Sequence, residues 1–215
     1  MKRTMTLALA IALALAGVTS AFAAAPADAV ILLEMAPLPG DGDPKLAATL
    51  RPTITAFDPA TSALKSPYLG RWIGPVSAGG DRPTGLVWGA KVKPGAYTLS
   101  GLAAQTYWNA CFDKAAVVFD VAPGAVVYVG QFDPRPTLVE MAAGLPRSSR
   151  NFEFLYLSAA QPARLTPPAE VPDWQSRIAP VLAAAFPTAM SAPEAAAIRV
   201  ASFKRRRSLL GPLSC

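Results

Sequence analysis

Hydrophobic and polar residues alternate along much of the chain with the two-residue period of half-buried strands, and breaks in that period mark the turns and the one helical stretch. The unbroken run Ala29-Val30-Ile31-Leu32-Leu33 predicts a buried first strand within residues 28–35, followed by a loop rich in Pro and Gly through Asp43-Pro44. Leu50, Ile54 and Ala56 alternate with Arg51, Thr53 and Thr55 ahead of Phe57, which predicts a half-exposed strand, and Pro52 points to a sheet edge. Residues 58–82, with Tyr68 and Trp72, form a long connection. The strand pattern resumes over 86–92 and 115–121, where Trp88 shares its alternation with Leu86 and Ala90 and is placed in the core. Residues 152–157 read as a late strand closed by a Pro-rich linker over 161–172.

Two segments carry the same signal, Val92-Lys93-Pro94-Gly95-Ala96 and Val121-Ala122-Pro123-Gly124-Ala125. Pro presets the first turn angle and Gly supplies the positive φ of a type II turn, so each predicts a strand, a turn and a strand. Two copies are too few for a repeat architecture. Near the carboxy terminus the period changes: Trp174, Ile178, Val181, Leu182 and Ala185 share one helical face, with Asp173 placed to cap it. Pro180 lies inside this helix and predicts a kink or two shorter helices. Ser191-Ala192-Pro193-Glu194 has capping-box spacing and predicts a second helical start. Ile198, Val200 and Ser202 alternate with Arg199, Ala201 and Phe203, which favours a strand there over a helix. The fold class expected is mostly β, a sandwich with one or two short C-terminal helices.

The pattern P-G-x-Y-x-L followed by F-x-V-x-x-G-x-x-x-Y-V-G is carried by Pro94, Gly95, Tyr97, Leu99, Phe119, Val121, Gly124, Tyr128, Val129 and Gly130. It resembles small prealbumin-like or carboxypeptidase-regulatory-like β-sandwich modules of uncharacterised bacterial envelope proteins. The resemblance implies a prealbumin-like or Ig-like sandwich and hardly bears on activity, because its residues are turn and core formers. The chain departs from short lipoprotein members in carrying a long C-terminal extension and no lipid-attachment cysteine, so membrane anchoring is not carried over.

The amino terminus changes the compartment rather than the fold. Lys2 and Arg3 precede an uncharged apolar run from Met5 through Val18 and then small residues ending Ala21-Phe22-Ala23, the order of a Sec-type secretory signal. Cleavage is expected after Ala23, since cutting after Ala25 would leave Pro26 first. Leu15-Ala16-Gly17-Val18 holds no lipoprotein cysteine. The expected organisation is a signal peptide over 1–23, a β-sandwich over 24–160, and a linker with a helical or extended segment packing on it over 161–215. The location expected is periplasmic or secreted.

The formal charge of +6 dissolves once it is located. Two of the 20 Lys and Arg lie in the leader, and Lys204-Arg205-Arg206-Arg207 supplies the whole excess of four over the 14 acids that remains. The body is balanced, which removes nucleic acid as an expected partner, while the basic tail offers contact with anionic lipid or lipopolysaccharide.

The chain has no histidine. That excludes Ser-His-Asp and Cys-His nucleophiles and most catalytic zinc sites, and neither cofactor nor metal is expected. Ser62-Ala63-Leu64-Lys65 has Ser-x-x-Lys spacing but lies in a turn-rich stretch, and Asp41-Gly42-Asp43 lacks the rest of a calcium loop. Asp113, Asp120, Asp133, Glu140 and Glu153 are the acids from which a glycan hydrolase would draw its pair. Strand alternation sets Asp120 on the face opposite to Phe119 and Val121. In an oxidising compartment Cys111 and Cys215 are expected to pair. Trp72, Tyr107 and Trp108 are rings able to stack on a sugar or enter a lipid interface. The function expected is a non-enzymatic envelope β-domain binding an envelope component, with a secreted carboxylate-dependent glycan hydrolase as the alternative.

Overall fold

A computed structural model of the chain describes residues 27–36, 38, 49–65, 71–72, 74–76, 86–104, 108–143, 155–189, 191–205 and 215. The leader, Asp41-Gly42-Asp43 and Glu153 lie outside the described residues. The chain is mostly β and folds as two sheets with short helices. Its first half contributes β1 (Ala29–Met35), β2 (Leu50–Asp58), β3 (Ala63–Leu64), β4 (Arg71–Trp72), β5 (Gly74–Val76), β6 (Leu86–Val92) and β7 (Gly95–Ala104). Then come β8 (Trp108–Cys111), β9 (Ala116–Val121), β10 (Val126–Asp133) and helix α1 (Arg135–Ala143). The last part holds β11 (Leu155–Ser158), β12 (Arg164–Thr166), a 3-10 turn at Pro168–Glu170, helix α2 (Trp174–Ala185), β13 (Pro193–Ala195) and β14 (Arg199–Ala201).

The first sheet runs β12-β10-β1-β6-β5, with β13 beside the other half of β10. The second runs β11-β8-β7-β2-β3, with β9 also on β7, β14 on β9, and β4 on β2. Ile31, Leu33, Met35, Trp88 and Phe132 of the first sheet join Leu50, Ile54, Leu99, Leu102 and Phe119 of the second in one apolar cluster. The opposite face of the first sheet, through Val30, Leu32, Val126 and Tyr128, packs with Trp174, Ile178, Val181 and Leu182 of α2 and with Phe186. All seven residues of β1 are buried because the strand is covered on both faces, and that is why its sequence, Glu34 apart, is apolar without alternation.

The two Pro-Gly corners turn out to carry the chain between sheets. Pro94-Gly95 leads from β6 in the first sheet to β7 in the second, and Pro123-Gly124 returns it from β9 to β10. At the second corner Gly124 has φ +70 and the Ala125 amide closes the turn on the Ala122 carbonyl, as a type II turn requires. Gly95 has φ +150 and opens directly into β7 instead.

A bulge in the parallel pairing of β1 with β10 decides which side chains face α2. Leu32 pairs with Tyr128 but Glu34 pairs with Gln131, so β10 carries one extra residue opposite β1. Gly130 absorbs it at φ +128. The extra residue reverses the alternation, sending Phe132 into the core and leaving Gln131 beside Glu34 on the face toward α2. A β-carbon at Gly130 would stand 2.4 Å from the Thr166 carbonyl oxygen, whereas one at Gly95 would meet nothing within 4 Å. Gly130→Ala is therefore expected to lower stability by about 3 kcal/mol and Gly95→Ala by only about 1 kcal/mol. Urea unfolding of the two variants checks this; equal losses would mean that backbone strain alone, without the clash, sets the cost.

Several expectations change. Pro52 lies in a strand flanked on both sides, by β7 and by β4 and β3. Yet β4 pairs only at Thr53 and Ile54 and β3 only at Phe57 and Asp58, so at Pro52 itself the missing N–H breaks no ladder with either. The connection over 58–82 contains three short strands. Helix α2 continues through Pro180, which is exposed, so the N–H hydrogen bond it cannot donate would have served a carbonyl near solvent. Asp173 does not cap α2 with its side chain: its backbone is left-handed at φ 49, and its carbonyl accepts from the Ser176 hydroxyl. The helix expected from Ser191 is instead strand β13, parallel to β10, because the open edge of Val126–Tyr128 offers backbone partners. The Ser191 hydroxyl donates to the Gly124 carbonyl. Residues 199–201 form the strand favoured by their alternation. The Pro-rich stretch over 161–172 also supplies β12.

Candidate functional site

A cleft of about 360 Å³ opens between the β1–β10 bulge, β12 and the start of α2, lined by Glu34, Gln131, Thr166, Glu170, Asp173 and Arg177 among others. Glu34 forms its floor. It shares strand parity with Val30 and Leu32, so its carboxylate is carried beneath α2 with only 6% of the side chain exposed. Its Oε2 accepts the Tyr128 hydroxyl at 2.9 Å and Arg177 Nη2 at 2.9 Å, and its Oε1 accepts Arg177 Nε at 3.2 Å. The third guanidinium nitrogen, Nη1, donates to the Pro172 carbonyl. Tyr128 is held in place by its ring, stacked on Trp174 at 4.5 Å. Burial, and then the Glu34 carboxylate, push the Tyr128 phenol far above its ordinary value, so it stays protonated and serves as a donor. The hydrogen bond to Glu34 raises the Arg177 guanidinium further.

The candidate acids stand apart, each with its own partner. Asp113 accepts the Ser158 hydroxyl, and Glu140 accepts the Ala160 amide. Asp120, exposed on the face opposite to Phe119, forms a two-point pair with Arg199 of β14. Asp133 is buried at the end of β10, where it accepts the Arg135 side chain at 2.6 Å and the Arg135 amide at the start of α1. The Arg135 guanidinium therefore holds the Asp133 carboxyl below its usual value against the opposing effect of burial. A carboxyl depressed on folding stabilises above its unfolded value of about 3.9, and the contribution is lost as pH falls through the lower folded value. Asp133→Asn is expected to cost about 1–2 kcal/mol at pH 7 and to flatten the stability profile below about pH 4. Thermal unfolding across that range checks it; an unchanged acid slope would assign the effect to other groups.

Of the remaining candidates, Cys111 and Cys215 form a disulfide, with Cα atoms 5.2 Å apart. Ser62 has φ 53 in the turn between β2 and β3, Lys65 is exposed, and among the described residues neither side chain hydrogen-bonds the other. Trp72 pairs with Thr53 and Trp108 with Ala104 and Leu155 through their backbones; their side chains, and Tyr107, lie outside the described residues. Lys204 is exposed, whereas Arg205 has Nε and Nη2 shielded from solvent and, among the described residues, without a hydrogen-bond partner, unlike a freely solvated tail. Arg206 and Arg207 lie outside the described residues. Trp88 is fully buried, as its alternation requires.

Glu34, Gln131 and Arg177 carry no sequence motif. The available signals are a Glu at the sixth of seven positions in an otherwise apolar strand and an Arg on the apolar face of a helix, three residues after Trp174. Among the described residues no three His, Cys, Asp or Glu side chains gather as a metal site, and no helix is long and apolar enough to cross a membrane. No family model matches this chain, and no curated protein or solved structure does either.

Proposed function

We propose that the chain is an exported, non-enzymatic β-domain of the cell envelope, akin to the prealbumin-like modules, that binds an envelope component through the cleft over Glu34. The observation that carries this reading is the state of the floor carboxylate. Tyr128 and Arg177 hold it in place with three hydrogen bonds, so it is a fixed recognition group. Asp113, Asp120, Asp133 and Glu140, each bound to a separate partner, give no support to a hydrolytic pair. The disulfide suits an oxidising compartment. Fractionation of cells, with mass spectrometry of the amino terminus and incubation of the purified protein with cell-wall glycan, tests the proposal. The expected result is recovery with the envelope or periplasm, an amino terminus at Ala24, and no new reducing ends. Retention of Met1 in the cytoplasm, or turnover of the glycan, would overturn it.

A further inference from the structure

We propose that the cleft recognises an organic ammonium group borne by a small polar ligand, which specifies the chemistry of the proposed binding role and rests on it. Arg177 does not set the sign of the cleft, because its three nitrogens are engaged by Glu34 and the Pro172 carbonyl. With that pair balanced, the lining charge that remains is that of Glu170 and Asp173, both exposed at the rim; Asp173 also lies within the field of the Arg177 guanidinium, and neither acid forms a salt bridge among the described residues. An anionic ligand is repelled there and a cation is drawn in.

The floor also has unused capacity. Glu34 Oε1 accepts a single hydrogen bond, at 3.2 Å, although a carboxylate takes about four donors and this one is almost wholly removed from water. An ammonium group brings three donors to a carboxylate that lines the cleft. Beside it stand Gln131, placed there by the Gly130 bulge, and Thr166. An amide and a hydroxyl on the wall match hydroxyl or amide groups next to the amine. The side-chain amide and hydroxyl beside the carboxylate suit an organic cation that carries hydrogen-bonding groups next to its charge.

Titration of the mature chain with glucosamine, N-acetylglucosamine and spermidine, followed by amide NMR shifts, separates charge from shape. Saturable shifts at Gln131, Thr166 and Asp173 are expected with an amine. N-acetylglucosamine, the same ring without the charge, is expected to bind about tenfold more weakly than glucosamine. The double variant Glu170→Gln, Asp173→Asn is expected to weaken amine binding about tenfold with no change in melting temperature, since both groups are exposed, and added salt is expected to act in the same direction. Gln131→Ala distinguishes the sources: loss with glucosamine alone assigns an amino sugar, and equal effects assign a free polyamine. Equal binding of the charged and acetylated sugars, indifference to the rim variant, or no saturable binding by any amine would overturn the inference. Any of those results from a protein still found with the envelope leaves the broader binding role standing, whereas a cytoplasmic protein would remove that role without reference to amines.

Discussion

Replacing Arg177 with methionine is expected to lower folding stability by about 3 kcal/mol, and replacing Glu34 with leucine in the same chain is expected to return most of that loss. The asymmetry follows from burial. Arg177 reaches solvent, with 36% of its side chain exposed, but Glu34 does not, at 6%. Removing the guanidinium strands a carboxylate in a place where only the Tyr128 hydroxyl still answers it. Removing both charges leaves an apolar contact between β1 and α2 flanked by Leu32, Trp174 and Ile178, which asks nothing of solvent. The double variant leaves the Tyr128 hydroxyl without its acceptor, at about 1 kcal/mol, so adding Tyr128→Phe is expected to recover the remainder. Urea unfolding of the singles, the pair and the triple variant measures the coupling. Additive losses for Arg177 and Glu34 would show that the two side chains do not act as a pair and that apolar contact alone holds α2 to the sheet.

Strands are legible where burial on one face imposes a period, as over 50–57, and where an apolar run is buried on both faces, as over 116–121, Asp120 apart. Two kinds of information are not. The first is partner choice: Ser191 to Glu194 carries a helix signal, but the neighbouring edge of β10 supplies backbone partners that a local pattern cannot register. The second is parity. Gln131 and Phe132 exchange faces because of one inserted residue, and Gly130 announces a special backbone without telling which strand it bulges against. The cleft depends on both, joining β1, β10, β12 and α2 from positions 34, 131, 166 and 177. No spacing rule links those numbers. The Pro-Gly corners were readable as turns for chemical reasons, although only the sheet order reveals that they cross the sandwich.

The disulfide is expected to contribute about 4–5 kcal/mol, because it closes a loop of 104 residues and removes correspondingly many conformations from the unfolded chain. Replacing Cys111 and Cys215 together with alanine tests that magnitude without adding a buried hydroxyl. The native state has its own stake in the bond. Between residues 191 and 203 the chain runs as a strap, bonded at Gly124 through the Ser191 hydroxyl, at Tyr128 through the Ala196 amide, at Asp120 through Arg199 and at Asp113 through the Phe203 amide. Cys215 then fastens its end to β8, where its sulfur lies 2.7 Å from the place a β-carbon on Gly101 would take. β14 is a three-residue edge strand that pairs with β9 alone, with Val200 68% exposed, so without the disulfide its anchorage rests on the few bonds just named. Hydrogen exchange at Arg199–Ala201 should therefore quicken by local opening, beyond the change shared with β1 and β10. Exchange in β14 that follows the rest of the protein would confine the bond's action to the unfolded chain, and a total loss under about 1 kcal/mol would remove even that.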